Sequence, residues 1–294
     1  MALLLAAIAA SIAAAVAGQA AVAPRVLVVS SDDTPPLRAA LVGVREALGA
    51  TPIEEIAPDG NFNARIEAAA RDGSDVAVIA LGGHAAARAA REAPAIATID
   101  CMSAQAAPGA LTVPLDMPAD QQILWLRRLL PGARYIGILY DPAQNAERVD
   151  SLAAALRRAD FNPVLAPVQA PAMLAVALGR LHGAVDALLG VPDATVYTPQ
   201  TTKGLLLFSF RHKLPLIGPS EAWVKAGALY ALVWDYREVG AFCAQLALRA
   251  LPGGGAAAAP TPPRPRVVVN ERAAELFRLR WDASLRRAFD PVLE

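Results

Sequence analysis

VAVIALGGH, residues 76–84, is an unbroken apolar run that ends in two glycines and a histidine. A strand exposed on one side alternates apolar with polar residues, whereas a continuous Val/Ile/Leu/Ala run marks a parallel strand buried on both faces. The same figure recurs at residues 26–32 (VLVVSSD), 135–142 (YIGILYDP), 186–195 (DALLGVPDAT), 214–221 (LPLIGPSE) and 229–236 (LYALVWDY). Each run ends in a turn that opens toward a helix. Sheets of this kind bind ligands just beyond the carboxyl ends of their strands. The chemistry is therefore expected at Ser30, Gly82, Tyr140, Val191, Gly218 and Trp234 and in the residues after them.

Helical segments fill the spaces between the runs. After Ser30, Leu37, Leu41, Val44 and Leu48 fall on one helical face, with Pro35 and Pro36 opening the helix and Gly49 closing it. A first α/β unit ends with a strand at residues 95–99. LTVPLDMPADQQ (111–122) then reads as a crossing into a second α/β set that runs to Gly218. Right-handed crossovers make each half a doubly wound sheet. PGGGAAAAPTPPRP (252–265) is a flexible linker by composition. Beyond it, a strand at 266–269 ending in Asn270 and a last helical segment through residues 285–292 are too little for a third domain. They must complete an earlier sheet, so the chain crosses between lobes three times.

Lys plus Arg equals Asp plus Glu at 27 each, which leaves no strong field for nucleic acid or an anionic membrane. Residues 2–17 are apolar apart from Ser11, and small residues follow, so residues 1–23 read as a secretory signal peptide cleaved between Gly18 and Pro24. The run is short for a span of roughly 20 residues, and no Cys nearby offers a lipid anchor. Cys101 and Cys243 are the two cysteines of the chain. An even count in an exported protein permits one disulfide, but sequence cannot bring their Cα atoms within range. Cys243 lies on the helical stripe Val239, Phe242, Leu246, Ala250 and reads as a small core residue, while Cys101 follows a strand end.

The candidate site residues sit at the strand ends. Ser30 and Ser31 close the first run, and Gly83 with His84 permits close backbone approach and a donor to an anion. Asp193, Ala194 and Thr195 follow a strand and open a helix, so their N–H groups and the Thr195 hydroxyl suit a ligand carboxylate; the alternative is that Asp193 merely caps. Ser220 has the same geometry. Tyr140 stands at a strand end, while Asn145 reads as a helix cap. Asp235, between Trp234 and Tyr236, suits either a ligand ammonium or a bond to nearby backbone. His182 and His212 have no acidic or thiol partners at ligand spacing, so no metal is expected. No dinucleotide, P-loop, serine-hydrolase or zinc-protease signature is present, so no cofactor and no catalysis are expected either.

YIGILYDPAQN (135–145), DALLGVPDATVYTPQ (186–200), LPLIGPSEAWVKAGALYALVWDYREVG (214–240) and VVVNERAAELFRL (267–279) together resemble the ABC-transporter substrate-binding family that contains tryptophan/tyrosine-binding lipoproteins. That resemblance implies the type I periplasmic-binding-protein fold, two doubly wound parallel-sheet lobes joined by three hinge crossings, with a small ligand between them. The lobes would be residues 24–113 plus 236–251 and 114–235 plus 267–294, with crossings near Pro114, at Trp234-Asp235-Tyr236 and at Val269-Asn270. The expected function is the solute-binding component of an ABC importer, a periplasmic monomer that takes an amino acid or aromatic carboxylate to a membrane permease. Two other readings stay open. One is a cofactor-independent amino-acid racemase, two-lobed and using one Cys per lobe, and the other is the ligand-sensing domain of a receptor.

Overall fold

The computed structural model describes residues 23–103, 106–252, 254 and 259–293. The segment read as a signal peptide lies outside them, except for Ala23. The chain divides into two compact units. Unit 1 takes the chain up to Asp116 together with Tyr236–Pro263, and unit 2 takes Met117–Asp235 together with everything from Arg264.

The elements follow the sequence in order. Unit 1 begins with β1 (Arg25–Ser30), α1 (Pro35–Leu48), β2 (Ile53–Ile56), α2 (Phe62–Asp72), β3 (Val76–Leu81), α3 (Gly83–Glu92), β4 (Ala97–Ser103) and β5 (Leu111–Pro114). Unit 2 follows with α4 (Ala119–Leu129), β6 (Tyr135–Tyr140), α5 (Pro142–Arg158), β7 (Asn162–Pro167), α6 (Leu174–Leu181), β8 (Ala187–Leu189), α7 (Pro199–His212), β9 (Leu216–Ile217), α8 (Glu221–Ala226) and β10 (Tyr230–Val233). The chain then returns α9 (Tyr236–Ala250) to unit 1 and gives β11 (Arg266–Asn270), α10 (Glu271–Leu276), α11 (Ala283–Arg286) and β12 (Asp290–Leu293) to unit 2.

Both sheets carry one doubly wound order. The sheet of unit 1 runs β2-β1-β3-β4-β5, all parallel, with Val28 paired to Glu55 on one side and Ile79 on the other. That of unit 2 runs β12-β11-β10-β9-β8-β6-β7, so its last five strands repeat the same winding. In each, the strand order reverses between the first and third strands of the unit, β1/β3 and β6/β8. This is the switch point at which open α/β sheets leave a crevice beyond the strand ends.

One pair in unit 2 breaks the parallel rule. β10 and β11 are antiparallel, Tyr230 opposite Val269 and Val233 opposite Arg266. The chain leaves unit 2 at the carboxyl end of β10 and comes back at Arg264, so β11 enters at the edge where its neighbour left and must run the other way. The third crossing therefore lies at Pro263/Arg264 rather than at Val269-Asn270, which is at the far end of β11. Asn270 is a helix cap there: its side chain accepts from Ala273 N and donates to Val224 O at 2.9 Å each. The expected terminal helix is likewise replaced by the short α11 and by β12, which pairs parallel to β11. Pro114, expected to open unit 2, ends β5 beside Ser103 in the sheet of unit 1. Residues 259–265 of the linker lead into β11 without helix or strand.

The two cores differ in what fills them. Unit 2 packs Trp125, Leu126 and Leu129 of α4 and Val149, Leu152 and Leu156 of α5 with the strand residues into one large cluster. Unit 1 closes one face of its sheet with Leu27, Val29, Phe62, Val78 and a series of alanines from α3. Its other face is covered by α9, which packs on β3, β4 and α1. The α1–α9 crossing is closer than side chains allow. A Cβ on Gly43 would lie 1.9 Å from Arg237 O, and one on Gly240 would lie 1.9 Å from Ala40 O. Cys243 of α9 meets Cys101 of β4 in a disulfide, Cα atoms 6.3 Å apart. The spacing lies inside the bridging range. Cys101 thus sits within β4, not after a strand end, and Cys243 is a bridging rather than a merely space-filling residue.

Candidate functional site

At the switch point of unit 2 the loops after β6 and β8 are joined by a continuous hydrogen-bond network. Asp193 is its centre. Its Oδ2 accepts from the Asp141 amide and from Asn145 Nδ2, both at 2.7 Å, and its Oδ1 accepts from the amides of Thr195 and Val196, both at 2.8 Å. Asp141 is the N-cap of α5 and accepts from the Ala143 amide at 3.0 Å. Its other oxygen takes the Thr195 hydroxyl at 2.7 Å and Gln144 Nε2 at 2.9 Å. The Thr195 hydroxyl beside it, then the Ala143 amide and Gln144, hold the Asp141 carboxyl below the usual carboxylate range. Gln144 also donates to Thr195 Oγ1 and accepts from the Ala194 amide.

This network decides several expectations. Residues 194–196 form a single turn, and α7 begins only at Pro199, capped by a box between Thr198 and Thr201. Asp193 therefore does not open a helix, and the amides of Ala194, Thr195 and Val196 are spent within the protein. Asn145 is not a cap either. It is buried, and its amide ties Asp193 Oδ2 to the Pro192 carbonyl. Sequence reasoning missed Gln144 altogether, because an exposed polar residue in the first turn of a helix carries no pattern.

Two aromatic residues adjoin this network, Tyr140 before Asp141 and Tyr197 after Val196. Tyr140, the last residue of β6, is half-buried against the core. Tyr197 packs edge to face on Trp223, centroids 5.4 Å apart. Its buried hydroxyl makes no hydrogen bond. Burial first, then the nearby Asp193 charge, pushes that phenol up, so it stays protonated. Ser220 precedes α8 without capping it through its side chain. Trp234 and Asp235 are half-buried at the end of unit 2, where the chain leaves it.

The switch point of unit 1 is built differently. Ser30 ends β1, and the Ser31 hydroxyl accepts from the Ala85 amide at 2.9 Å, so the loop after β1 grips the start of α3. Gly82, the N-cap, has φ +90°, and a Cβ there would meet Ser31 Oγ at 2.7 Å. Only glycine suits both demands. Gly83 and His84 follow, both exposed, and their amides make no hydrogen bond to a described residue. His84 adds a weak attraction to Asp32, whose carboxyl is held down chiefly by Thr34. Beside them, Asp100 of β4 is fully buried. It takes the Ser103 hydroxyl, the Ala107 amide at 2.9 Å and the Thr112 hydroxyl at 3.3 Å, fixing the loop between β4 and β5. Its signal in the sequence is a lone acid in the apolar strand ATIDCMS.

The cysteines close the enzymatic alternative. A racemase of the kind considered needs one free thiol as acid and another as base. Cys101 and Cys243 are joined to each other, wholly buried, and both in unit 1. Among the described residues no helix is long and apolar enough to cross a membrane.

Comparison with known proteins agrees with this architecture. A search of curated proteins finds no match. Among solved structures, a substrate-binding protein with adhesive properties from Clostridium difficile, in its ligand-free, open form, is 17% identical with a TM-score of 0.71, covering 92% of this chain and 99% of its own. An ABC domain from Streptococcus pneumonia in complex with L-Trp is 19% identical with a TM-score of 0.58, covering 92% and 100%. A conserved domain protein from Vibrio cholerae is 18% identical with a TM-score of 0.59 over the same shares. At these identities the likeness is one of fold, the type I periplasmic-binding fold. The family described as ABC transporter substrate binding protein matches residues 103–286, well over half of the chain. This chain belongs to the ABC transporter substrate-binding protein family and binds its solute rather than transforming it.

Proposed function

We propose that the solute is an amino acid or an aromatic carboxylate, and that this protein carries it to a membrane permease as a monomer outside the cytoplasm. The observation that carries the reading is the pair of unspent amides on Gly83 and His84. They open α3, a ten-residue helix at the switch point of unit 1. A helix N-terminus with free N–H groups favours a carboxylate through both hydrogen bonds and the helix dipole. Ser30 and Ser31 flank it. In unit 2, this reading assigns Tyr140 and Trp234 to apolar contact with the solute and Asp235 to an ammonium, with Asp193, Ala194, Thr195 and Ser220 as its other binding residues.

Export through the segment at residues 1–23 fits the disulfide, since such bonds persist in oxidising compartments. The test is a thermal-shift screen of L-amino acids and aromatic carboxylates. A ligand that binds only the folded state stabilises it by mass action, by about 2.7 kcal/mol at a hundred times its Kd, and so raises the unfolding midpoint. At least one member of these classes is expected to do so. If sugars or polyols shift the midpoint and neither of these classes does, the ligand assignment is wrong.

A further inference from the structure

Four helices of unit 2 finish in arginine. Arg127 and Arg128 stand in the last turn of α4, Arg157 and Arg158 in that of α5, Arg180 in that of α6 and Arg211 in that of α7. Each of these helices leads into one of the parallel strands β6, β7, β8 and β9, so all four finish at the amino ends of the strands, away from the switch point. Contacts join these ends: Arg127 donates to Ala159 O just past α5 at 2.8 Å, and His182 after α6 packs on His212 of α7, ring centroids 4.0 Å apart. A cation in a last turn complements the helix dipole. That accounts for one arginine on a helix, not for two, and not for their lack of acid partners. All six are exposed, and none forms an ion pair with a described carboxylate. In unit 1, by contrast, Arg25 is paired with Asp72, Arg45 with Glu55, Arg65 with Glu54 and Arg91 with Glu92. In the connections from these four helices to their strands the acids are Asp160 and Asp186, and Asp186 accepts from the amides of Arg134 and Tyr135. A chain of zero net charge thus concentrates positive charge at one end of unit 2.

We propose that this end of unit 2 docks on an anionic phospholipid bilayer. A receptor of this family serves a permease that lies in a bilayer. Unpaired arginines spread over four helix ends match a layer of headgroup phosphates rather than one small anion, and the guanidinium fork suits phosphate. Tyr135, the first residue of β6, is 50% exposed at the same end, and tyrosine is at home at headgroup level. Attachment of this kind is weak and sensitive to salt, so it keeps the receptor near its permease without anchoring it. It is independent of which solute is carried.

The experiment is co-sedimentation of the chain from Pro24, which lacks the apolar leader but holds every element of both units, with vesicles of phosphatidylglycerol and phosphatidylcholine in equal parts. Binding is expected at about 0.01 M salt and its loss at about 1 M, with none to phosphatidylcholine alone. Each cation at such a surface is worth about fivefold in partition, so Arg157→Gln/Arg158→Gln/Arg180→Gln/Arg211→Gln should weaken binding by about a hundredfold or more. The pair Arg157→Gln/Arg158→Gln, a lighter change to the fold, should weaken it by about tenfold. Arg38→Gln/Arg45→Gln/Arg65→Gln/Arg71→Gln in unit 1 makes the same change in net charge and should bind as wild type does. Unfolding midpoints of all variants are measured alongside. No binding to the anionic vesicles, or equal losses in the two fourfold variants, would overturn the proposal. So would duplex DNA that displaces the vesicles and binds more tightly than they do, which would make this a nucleic-acid surface.

Discussion

Units 1 and 2 wind five strands in the same order and stabilise them by different means. Unit 2 relies on large side chains and on a dense polar network at its switch point, where one carboxylate, Asp193, receives four donors. Unit 1 relies on alanines, a glycine crossing between α1 and α9 and one disulfide, and among the described residues nothing bonds the amides of Gly83 and His84 at its switch point. The difference separates two jobs that look alike in sequence. Loops whose polar groups bond mainly to one another form a fixed platform, and loops with unspent donors can hold a solute.

The sharpest way to break the comparison is Asp193→Ala. It strands two amides and a side-chain amide in a buried place and frees a fourth donor, so unit 2 should lose about 4 kcal/mol in urea unfolding. A loss below about 1 kcal/mol would mean that the network is not what holds these loops. Next is Gly240→Ala in unit 1. Its methyl would lie 1.9 Å from the Ala40 carbonyl oxygen, backbone against backbone, so the helices must separate. A cost of about 2–3 kcal/mol is expected for such overpacking. A neutral result would show that the crossing has slack. The smallest effect is one of pH. Asp141 has a folded-state pKa below its ordinary value of 3.8, so its share of stability is present above that value and is lost as pH falls through the lowered one. Asp32, Asp72 and Asp282 titrate in the same direction. The difference between wild type and Asp141→Asn in acid unfolding below about pH 4 isolates the Asp141 part, and parallel curves would remove Asp141 from the account.

The fold class was readable because buried parallel strands write themselves as unbroken apolar runs. VAVIAL and YIGILY are β3 and β6 to the residue, and Leu37, Val44 and Leu48 of the expected stripe are buried on α1. What depends on distant partners was not readable. Asp193 looks the same in sequence whether it caps, binds or bridges. Its donors Asp141 and Asn145 lie 52 and 48 residues away, and only their arrival settles which. The pairing of Cys101 with Cys243 is hidden in the same way. DPVL at the C-terminus is too short to show a period, and it is a strand because β11 stands beside it. The direction of β11 follows from where the chain comes back, a fact of topology and not of local composition.

Gly83→Pro tests the division of labour most directly. Proline is tolerated at the first position of a helix, where it removes an N–H that has no partner within the helix. The ψ of 162° at Gly82 suits a following proline, and the nearest atom to a Cβ at position 83 is Ser103 Oγ at 3.9 Å. Calorimetric titration of the solute found by thermal shift into wild type and Gly83→Pro is the measurement. If the unit 1 amides hold the solute carboxylate, affinity falls by about tenfold or more, the value of one charge-assisted hydrogen bond, while the unfolding midpoint without solute barely moves. Full affinity in Gly83→Pro would contradict the account.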